Sequence, residues 1–261
     1  MKANIARATR MIETAAEKNC SVMVLPECMD LGWADPVACD LAQPIPGSAS
    51  DILCQSARDS KIHVVAGLTE RADGKIYDAA LLISPNGQIL AKHRKINILT
   101  DVEGMYSVGD RLAVTKTTLG TIGVDICADN FPDSLALGHT LARMGAQILL
   151  SPCSWAVDAE HDNRKDPYGS LWMGSYTTLA KLYDITIVGV SNVGWIKAGT
   201  WKGRKCIGCS LAVGPQGQVL ARGPYGETAE SMITVQVEPR QPHSRGTEIA
   251  QVLKRRGYEG P

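Results

Sequence analysis

The chain repeats one order of secondary-structure elements, and this repeat restricts the possible folds more than any single motif does. The first half is predicted to begin with a helix over residues 1–18, the strand "SVMVLPE" and a helix over 48–60 that is capped by Ser48 or Ser50. The strand "IHVVAGLTE" follows, and then a hairpin in which the turn "SPNGQ" joins the strands "YDAALLIS" and "QILAKHRK". The second half gives a helix over 133–144, the strand "AQILLSPCSW", a helix over 170–183, the strand "ITIVGVSNVG" and the hairpin "CIGCSLAVGPQGQVLARG". Two similar halves, each with helices on one sheet, predict an α/β fold in which the sheets stack as an α-β-β-α sandwich.

The repeat also leaves one strand without a counterpart. The second half opens on the strand "LGTIGVDIC", which ends at Cys127, before its first helix. The first half opens directly on its helix. The repeat therefore predicts that a strand ahead of Met1 is missing from this chain, and the alternative is that the two halves differ at this point.

Composition excludes several classes of protein. The chain has 261 residues, and its 27 Lys and Arg residues balance 27 Asp and Glu residues, which argues against a dedicated binder of nucleic acid or of anionic membranes. No apolar run is long enough to span a bilayer, and the N-terminal residues lack the apolar centre of a signal peptide. We therefore expect a cytoplasmic protein whose eight cysteines are reduced thiols.

Cys127 is the first candidate for chemistry. In "GVDICADNFP" an apolar strand stops at this cysteine, and a turn and a helix follow at once. A helix N-terminus favours a thiolate, and a tight strand-turn-helix connection lifts a side chain clear of the sheet. A buried structural cysteine is the equally good alternative from position alone.

Three charged residues and one cysteine pair are weaker candidates. Glu27 follows "VMVLP", where partial desolvation suits a general base. Lys95 ends "AKHRK", and Glu103 lies in the following loop; taken singly, all three read as solvated surface residues. Cys206 and Cys209 form "CIGC", but a zinc site needs two further ligands and none stands at a matching spacing, so ordinary strand residues are predicted.

Taken together, these segments resemble the nitrilase, or carbon–nitrogen hydrolase, superfamily. The segments "VMVLPE", "HRK" and "GVDICAD" occur in the family's order with family-like separations, and "EGMYSVGD", "GAQILLSPCSW", "VGVSNVG" and "NIARATRMIETAAEKN" also match. The resemblance covers nearly the whole chain. It implies a single carbon–nitrogen hydrolase domain over residues 1–261, folded as the four-layer sandwich. Chains of this family usually begin with a strand, so the resemblance also implies the absent first strand.

The resemblance implies a role for each candidate. Glu27 would be the general base, Cys127 the nucleophile that forms a thioester, and Lys95 the group that stabilises the oxyanion together with the backbone N–H of Ala128. Glu103 would position the lysine or the substrate. This chemistry requires no metal and no organic cofactor.

The residues after the cysteine indicate a substrate branch. Family members that cleave nitriles tend to have Trp-Glu there, whereas Ala128 and Asp129 resemble the amidase and carbamoylase branches. We therefore predict hydrolysis of a linear amide or N-carbamoyl compound, with a nitrilase and a catalytically silent binding protein as alternatives. Trp33, Tyr106 and Trp155 lie near the motif segments and are candidate pocket residues, with packing in the core or at the rim as the equally good alternative. The family favours homodimers or larger homo-oligomers.

Overall fold

The structure is a computed structural model that describes residues 1–240 and 247–258. In the first half the elements are α1 (Lys2–Glu17), β1 (Val22–Val24), α2 (Ala38–Leu41), α3 (Ser48–Ser60), β2 (His63–Ala72), β3 (Lys75–Ile83) and β4 (Ile89–Arg94). The four strands form one sheet in the order β1-β2-β3-β4, with β1 parallel to β2 and the other pairs antiparallel.

The second half has two sheets. Its elements are β5 (Val114–Thr117), β6 (Gly120–Val124), α4 (Leu135–Met144), β7 (Ile148–Cys153), β8 (Ala156–Val157), α5 (Ser170–Tyr183), β9 (Thr186–Ser191), β10 (Val193–Trp195), β11 (Lys205–Ile207), β12 (Leu211–Val213), β13 (Val219–Arg222) and α6 (Thr247–Arg255). Six strands form the sheet β13-β12-β9-β7-β6-β5, and β10-β11-β8 form a small sheet. Strands β6, β7 and β9 run parallel to one another.

Alternate side chains of the first sheet belong to different hydrophobic clusters. One face packs against α1 and α3; its members are Val64, Ala66, Leu68, Leu81 and Ile83. The opposite face carries Val65, Ala80 and Leu82, which share a cluster with strand residues of the second sheet. Because side chains alternate across a strand, the first sheet lies between its own helices and the second sheet.

The second sheet is covered by helices in the same way. Gly123 of β6 faces Leu141 of α4, and Gly189 of β9 faces Tyr176 of α5 so closely that a Cβ atom there would lie 2.2 Å from the tyrosine oxygen. Helix α5 therefore packs directly on the strand backbone at this point. The predicted α/β fold is confirmed, and the hydrophobic clusters place each sheet between its own helices and the other sheet.

Several predicted boundaries are wrong in detail. The strand before Cys127 ends at Val124, and a 3-10 turn over Pro132–Ser134 precedes α4, which begins at Leu135. Gly47 caps α3, and its N–H donates to Ser50 Oγ at 2.9 Å. Cys209 lies between strands in a left-handed conformation with φ +58°. The segment that contains Cys206 and Cys209 was predicted as one continuous strand, because the strand propensities of its residues do not reveal that the backbone turns at Cys209.

No helix among the described residues is long and apolar enough to cross a membrane.

Candidate active site

Cys127 lies on a strained turn between the two layers. It opens a 3-10 turn over Cys127–Asn130 that follows β6, and its φ of +43° is unusual for a residue with a side chain. Its backbone N–H donates to Ser151 Oγ at 3.1 Å. This is the elbow geometry predicted from the sequence, in which a sharp turn presents the side chain beyond the end of the sheet.

The surroundings of Cys127 favour the protonated form of its thiol. Burial raises its pKa well above the ordinary value; a hydrogen bond with Cys153 and the charge of Glu27 raise it further, while Lys95 acts in the opposite direction. Burial therefore opposes the effect that a helix N-terminus was expected to have on this thiol. The turn has only four residues, so its dipole is small compared with the cost of burying an anion.

Lys95 follows β4 and stands at the centre of three carboxyl groups. Its Nζ donates to Glu27 Oε1 at 2.7 Å and to Glu103 Oε1, and it lies 3.6 Å from Asp78 Oδ2. All four side chains are fully buried. Burial by itself would lower the pKa of Lys95, but the charges of Glu103 and Glu27 outweigh it, and the pKa is raised well above the ordinary value. The lysine is therefore an ammonium ion.

The same three carboxyl groups have the composition of a cation site. Ligand atoms of Glu27, Asp78 and Glu103 lie within 4.8 Å of one another. The ammonium of Lys95 already contacts all three and takes the central place that a metal ion would need.

Glu103 is held rigidly behind the lysine. Trp33 Nε1 donates to its Oε1 at 2.5 Å, and the N–H of Leu99 donates to its Oε2 at 2.7 Å. Trp33 in turn meets Trp201 edge to face, with ring centroids 5.3 Å apart. Both carboxylate oxygens of Glu103 are thus occupied, and this carboxylate fixes the position of Lys95.

Asp129 connects the residues that follow Lys95 to the turn that carries Cys127. Its Oδ1 accepts hydrogen bonds from the N–H groups of Ile96 and Asn97 at 3.0 and 2.8 Å, and its Oδ2 accepts from the N–H of Ile126 at 3.0 Å. Its Oδ2 also lies 2.8 Å from His93 Nε2. One buried carboxylate therefore sets the spacing between the residues that follow Lys95 and the turn that carries Cys127.

The backbone N–H of Ala128 remains available beside the thiol. Among the described residues no acceptor is bonded to it, whereas its own carbonyl accepts from Asn97 Nδ2 at 2.7 Å and from the N–H of Phe131 at 3.0 Å. A free N–H next to a buried thiol and an ammonium is suited to stabilise a developing negative charge.

A cavity of about 220 Å³ opens at Cys127. Its lining includes Trp33, Trp155, Tyr168, Trp172 and Trp201. The rings of Trp155 and Trp172 stack with centroids 4.8 Å apart. Two of the three predicted pocket aromatics are therefore at the cavity, which is small, apolar and rimmed by indole rings.

Tyr106, the third predicted pocket aromatic, does not line this cavity. Its ring is buried, and its hydroxyl accepts a hydrogen bond from the N–H of Ala34 at 3.1 Å and lies 3.6 Å from Cys28 Sγ. The tyrosine supports the segment that follows Glu27 instead of contacting the cavity.

Asp78 is a site residue that the sequence analysis missed. Neither of its carboxyl oxygens has a hydrogen-bond partner among the described residues. Burial raises its pKa well above the ordinary value; the nearby charge of Glu27 adds to this, and Lys95 only partly opposes it. These effects favour the neutral form of the acid, which limits the net charge of the cluster. A lone acidic residue within the apolar strand "YDAALLIS" was the available signal.

Replacing Asp78 with asparagine should stabilise the protein increasingly as pH rises. The unfolded Asp ionises near pH ~3.9, whereas the native one stays protonated to a much higher pH, so folding takes up a proton and loses stability as pH rises above that value. Asparagine removes this cost. The free energy of unfolding in urea should favour Asp78→Asn least at pH 5 and most at pH 8. Asp101→Asn, at an exposed position, is the control, and a difference independent of pH would contradict the neutral acid.

Comparison with known proteins identifies the family. The sequence profile described as carbon–nitrogen hydrolase matches residues 1–241. The chain belongs to the carbon–nitrogen hydrolase family. Among relatives of this hydrolase, omega-amidase NIT2-B of Xenopus laevis is 27% identical over 239 residues, covering 87% of this chain and 81% of the relative. A nitrilase of Pyrococcus abyssi is 29% identical over 242 residues, covering 90% and 83%. Omega-amidase NIT2-A of Xenopus laevis is 32% identical over 160 residues, which is 57% of each chain.

Solved structures share the fold of this hydrolase. A carbon–nitrogen hydrolase from Helicobacter pylori G27 superimposes with a TM-score of 0.77 at 23% identity, covering 85% of this chain and 80% of that one. A mutant of the amidase from Nesterenkonia sp. AN1, whose active-site cysteine has undergone Michael addition of acrylamide, gives a TM-score of 0.72 at 20% identity, covering 86% and 84%. The predicted family and fold are confirmed.

Proposed function

We propose that this hydrolase cleaves the C–N bond of a linear amide or N-carbamoyl compound through a thioester on Cys127. One observation carries the proposal: a buried thiol on a strained turn opens on a small cavity, next to the N–H of Ala128 and within electrostatic reach of the buried Glu27–Lys95 ion pair. Glu27 and Lys95 are close enough for their charges to act on the pKa of the thiol. These groups supply the nucleophile, the general base and the oxyanion donors that acyl transfer requires.

Acylation begins from the neutral thiol. Glu27 takes the thiol proton as Sγ attacks the carbonyl carbon, so no free thiolate has to persist in the buried site. The carbonyl oxygen becomes an oxyanion held by the ammonium of Lys95 and the N–H of Ala128. When the carbonyl re-forms, the C–N bond breaks, and Glu27 returns its proton to the departing nitrogen, which leaves as ammonia or an amine.

Deacylation uses the same groups. Glu27, again a carboxylate, takes a proton from water, whose oxygen attacks the thioester carbon. The same two donors hold the second oxyanion. Sγ then departs and regains a proton from Glu27, which releases the carboxylic acid and restores the starting state. Glu103 and Asp129 are positioning residues in this scheme. Glu103 orients Lys95, and Asp129 holds the residues that follow Lys95 against the turn that carries Cys127.

The preference for amides rests on leaving-group chemistry and on the residues after the cysteine. An amide or carbamoyl nitrogen must be protonated as it leaves, and Glu27 can supply that proton within the site. Asp129 is committed to four contacts that hold the two loops together, so it is not free to contact a substrate. Relatives named omega-amidases and amidases support this branch.

A matched substrate panel tests the branch. Ammonia release should be measured for an amide, an N-carbamoyl compound and a nitrile built on the same small carbon skeleton. We expect kcat/KM for the amide or carbamoyl compound to exceed that for the nitrile by roughly 100-fold, the scale of one lost transition-state contact. A nitrile with the highest kcat/KM would show that the nitrilase alternative is right, and no turnover of any compound would favour the silent binding protein.

A further inference from the structure

One part of the lining of the cavity at Cys127 is a cluster of packed rings. Phe131 tilts against Trp172 with ring centroids 5.3 Å apart, and Trp172 stacks on Trp155. Trp172 Nε1 donates to the hydroxyl of Tyr168 at 2.9 Å. The polar atoms of Trp172 and Tyr168 are therefore bonded to each other, and this part of the lining presents mainly carbon surface to a substrate.

A second pair of rings comes from other segments of the chain. Trp33 follows β1, and Trp201 lies in the connection between β10 and β11. The two rings meet edge to face, and the indole N–H of Trp33 donates to Glu103. Leu99 adds aliphatic surface to the lining. These residues also offer a substrate apolar surface, since the polar atom of Trp33 is already bonded.

The volume of the cavity limits the size of the acyl group that it can hold. An apolar cavity of ~150 Å³ in another protein holds a benzene molecule, and liquid water occupies ~30 Å³ per molecule. A cavity of about 220 Å³ therefore has room for roughly seven atoms other than hydrogen. This is the size of a branched acyl group such as isocaproyl.

The described lining contains no lysine and no arginine. Its one acidic residue is Asp166, at an exposed position, and its one imidazole is that of His161. A carboxylate that entered the cavity would lose its hydration without gaining the cation that normally compensates for burial. An acyl group that ends in a carboxylate should therefore be bound and turned over poorly, whereas an apolar end gains from the contact with the rings.

Trp201 separates one arginine from the cavity. The guanidinium carbon of Arg204 lies 4.1 Å from the centroid of the Trp201 ring, and its Nε pairs with Asp158 Oδ1 at 2.8 Å. Trp201 lines the cavity, whereas Arg204 does not. The same indole therefore supplies apolar surface to a substrate and screens a positive charge from it.

We propose that the cavity selects amides with a compact, uncharged and apolar acyl group, and that Trp201 determines this selectivity. The inference rests on the proposed hydrolysis of an amide at Cys127. The apolar part of the acyl group packs against the rings while its carbonyl carbon lies at the sulfur. Without Trp201 the cavity would lose apolar surface and gain access to the guanidinium of Arg204.

The test uses two amides of equal size and different charge. Isocaproamide ends in two methyl groups, and succinamate is its isostere with a carboxylate oxygen in place of each methyl. The ratio of kcat/KM for the two amides is measured for the parent enzyme, for Trp201→Ala and for Trp195→Ala. Trp195 is the matched control, because its ring is 49% exposed and lies outside the cavity. Binding of both amides to Cys127→Ala, measured by calorimetry, reports selectivity without turnover.

We expect the parent enzyme to favour isocaproamide by roughly 100-fold, and Trp195→Ala to keep this ratio. Trp201→Ala should lower the ratio by about tenfold or more, because apolar contact is lost and Arg204 is uncovered. Adding Arg204→Gln to Trp201→Ala should then restore part of the ratio by weakening the turnover of succinamate. A ratio that is unchanged in Trp201→Ala, or that falls equally in Trp195→Ala, would overturn the role of Trp201.

The remaining outcomes separate this inference from the proposed function. Turnover or binding that favours succinamate in proteins with Trp201 intact would overturn the selectivity, leave C–N hydrolysis in place and indicate His161 as the group that binds the carboxylate. Tighter binding of isocaproamide to Cys127→Ala without turnover of either amide by the parent enzyme would contradict the proposed function alone. Neither binding nor turnover of isocaproamide would overturn the selectivity as well.

Discussion

Cys127→Ala should abolish turnover while the cavity still binds substrate. The substitution removes the sulfur that forms the thioester and leaves Glu27, Lys95 and the rings of the cavity in place. Loss of a serine protease nucleophile costs about 10⁶-fold in kcat, and we expect a loss of that order. Binding of the amide to the variant, measured by calorimetry, should remain within about tenfold of the KM of the parent enzyme.

A thiol outside the site supplies the control for this variant. Cys54 is buried on α3, in the hydrophobic cluster between the helices and the outer face of the first sheet. Cys54→Ala should lower stability through a small cavity, by about 1 kcal/mol, while turnover persists. Activity retained in Cys127→Ala, or lost only in Cys54→Ala, would contradict the assignment of the nucleophile.

Lys95→Ala should reduce both kcat and stability. Loss of one oxyanion donor typically costs on the order of 10²–10³ in kcat, or about 2.7–4 kcal/mol. The substitution also leaves Glu27, Glu103 and Asp78 facing one another without a cation, and removing one partner of a buried ion pair costs about 3–5 kcal/mol. Steady-state kinetics and urea unfolding separate the two effects, because the kinetic loss must persist under conditions where the variant is fully folded.

The strand that leads to Lys95 provides a matched control. Lys92 also pairs with a buried carboxylate, that of Glu70, but lies outside the site. Lys92→Ala should leave kcat unchanged.

Because the catalytic groups act as one unit, adding Glu27→Gln to Lys95→Ala should lower kcat far less than the product of the two single losses. Additive losses would show that the carboxylate and the ammonium act independently.

Much of the site could be predicted because its residues follow strands. Glu27 and Lys95 each follow an apolar strand, and Cys127 stands on the turn after another, so the ends of strands in stacked sheets bring them together. Their roles came from the family resemblance and not from periodicity, since each residue alone looked like a loop residue.

The site residues that the sequence analysis missed make their contacts with residues distant in sequence. His93 and Asp129 are 36 positions apart, and no pattern within either segment shows that they meet. Hydrophobic periodicity shows which face of a strand is buried but not what it is buried against. For the same reason the sequence left open whether Tyr106 lines the pocket or packs in the core: its nearness to Glu103 in sequence does not reveal that its hydroxyl turns toward Ala34.

The repeat predicted more of the fold than local propensity did. It predicted the order of helices and strands in both halves. The small sheet β10-β11-β8 has no counterpart in the first half, so the repeat could not predict it.

The covalent intermediate is the most direct test of the account. Glu27→Gln keeps the shape of the side chain but cannot take a proton from water, so any acyl-enzyme that forms should hydrolyse slowly and accumulate. After incubation of this variant with an amide, intact-mass spectrometry and peptide mapping should find one acyl group, on Cys127. An adduct on Cys153 or Cys206 instead, or steady turnover by the parent enzyme with Cys127 replaced by alanine, would contradict the thioester mechanism.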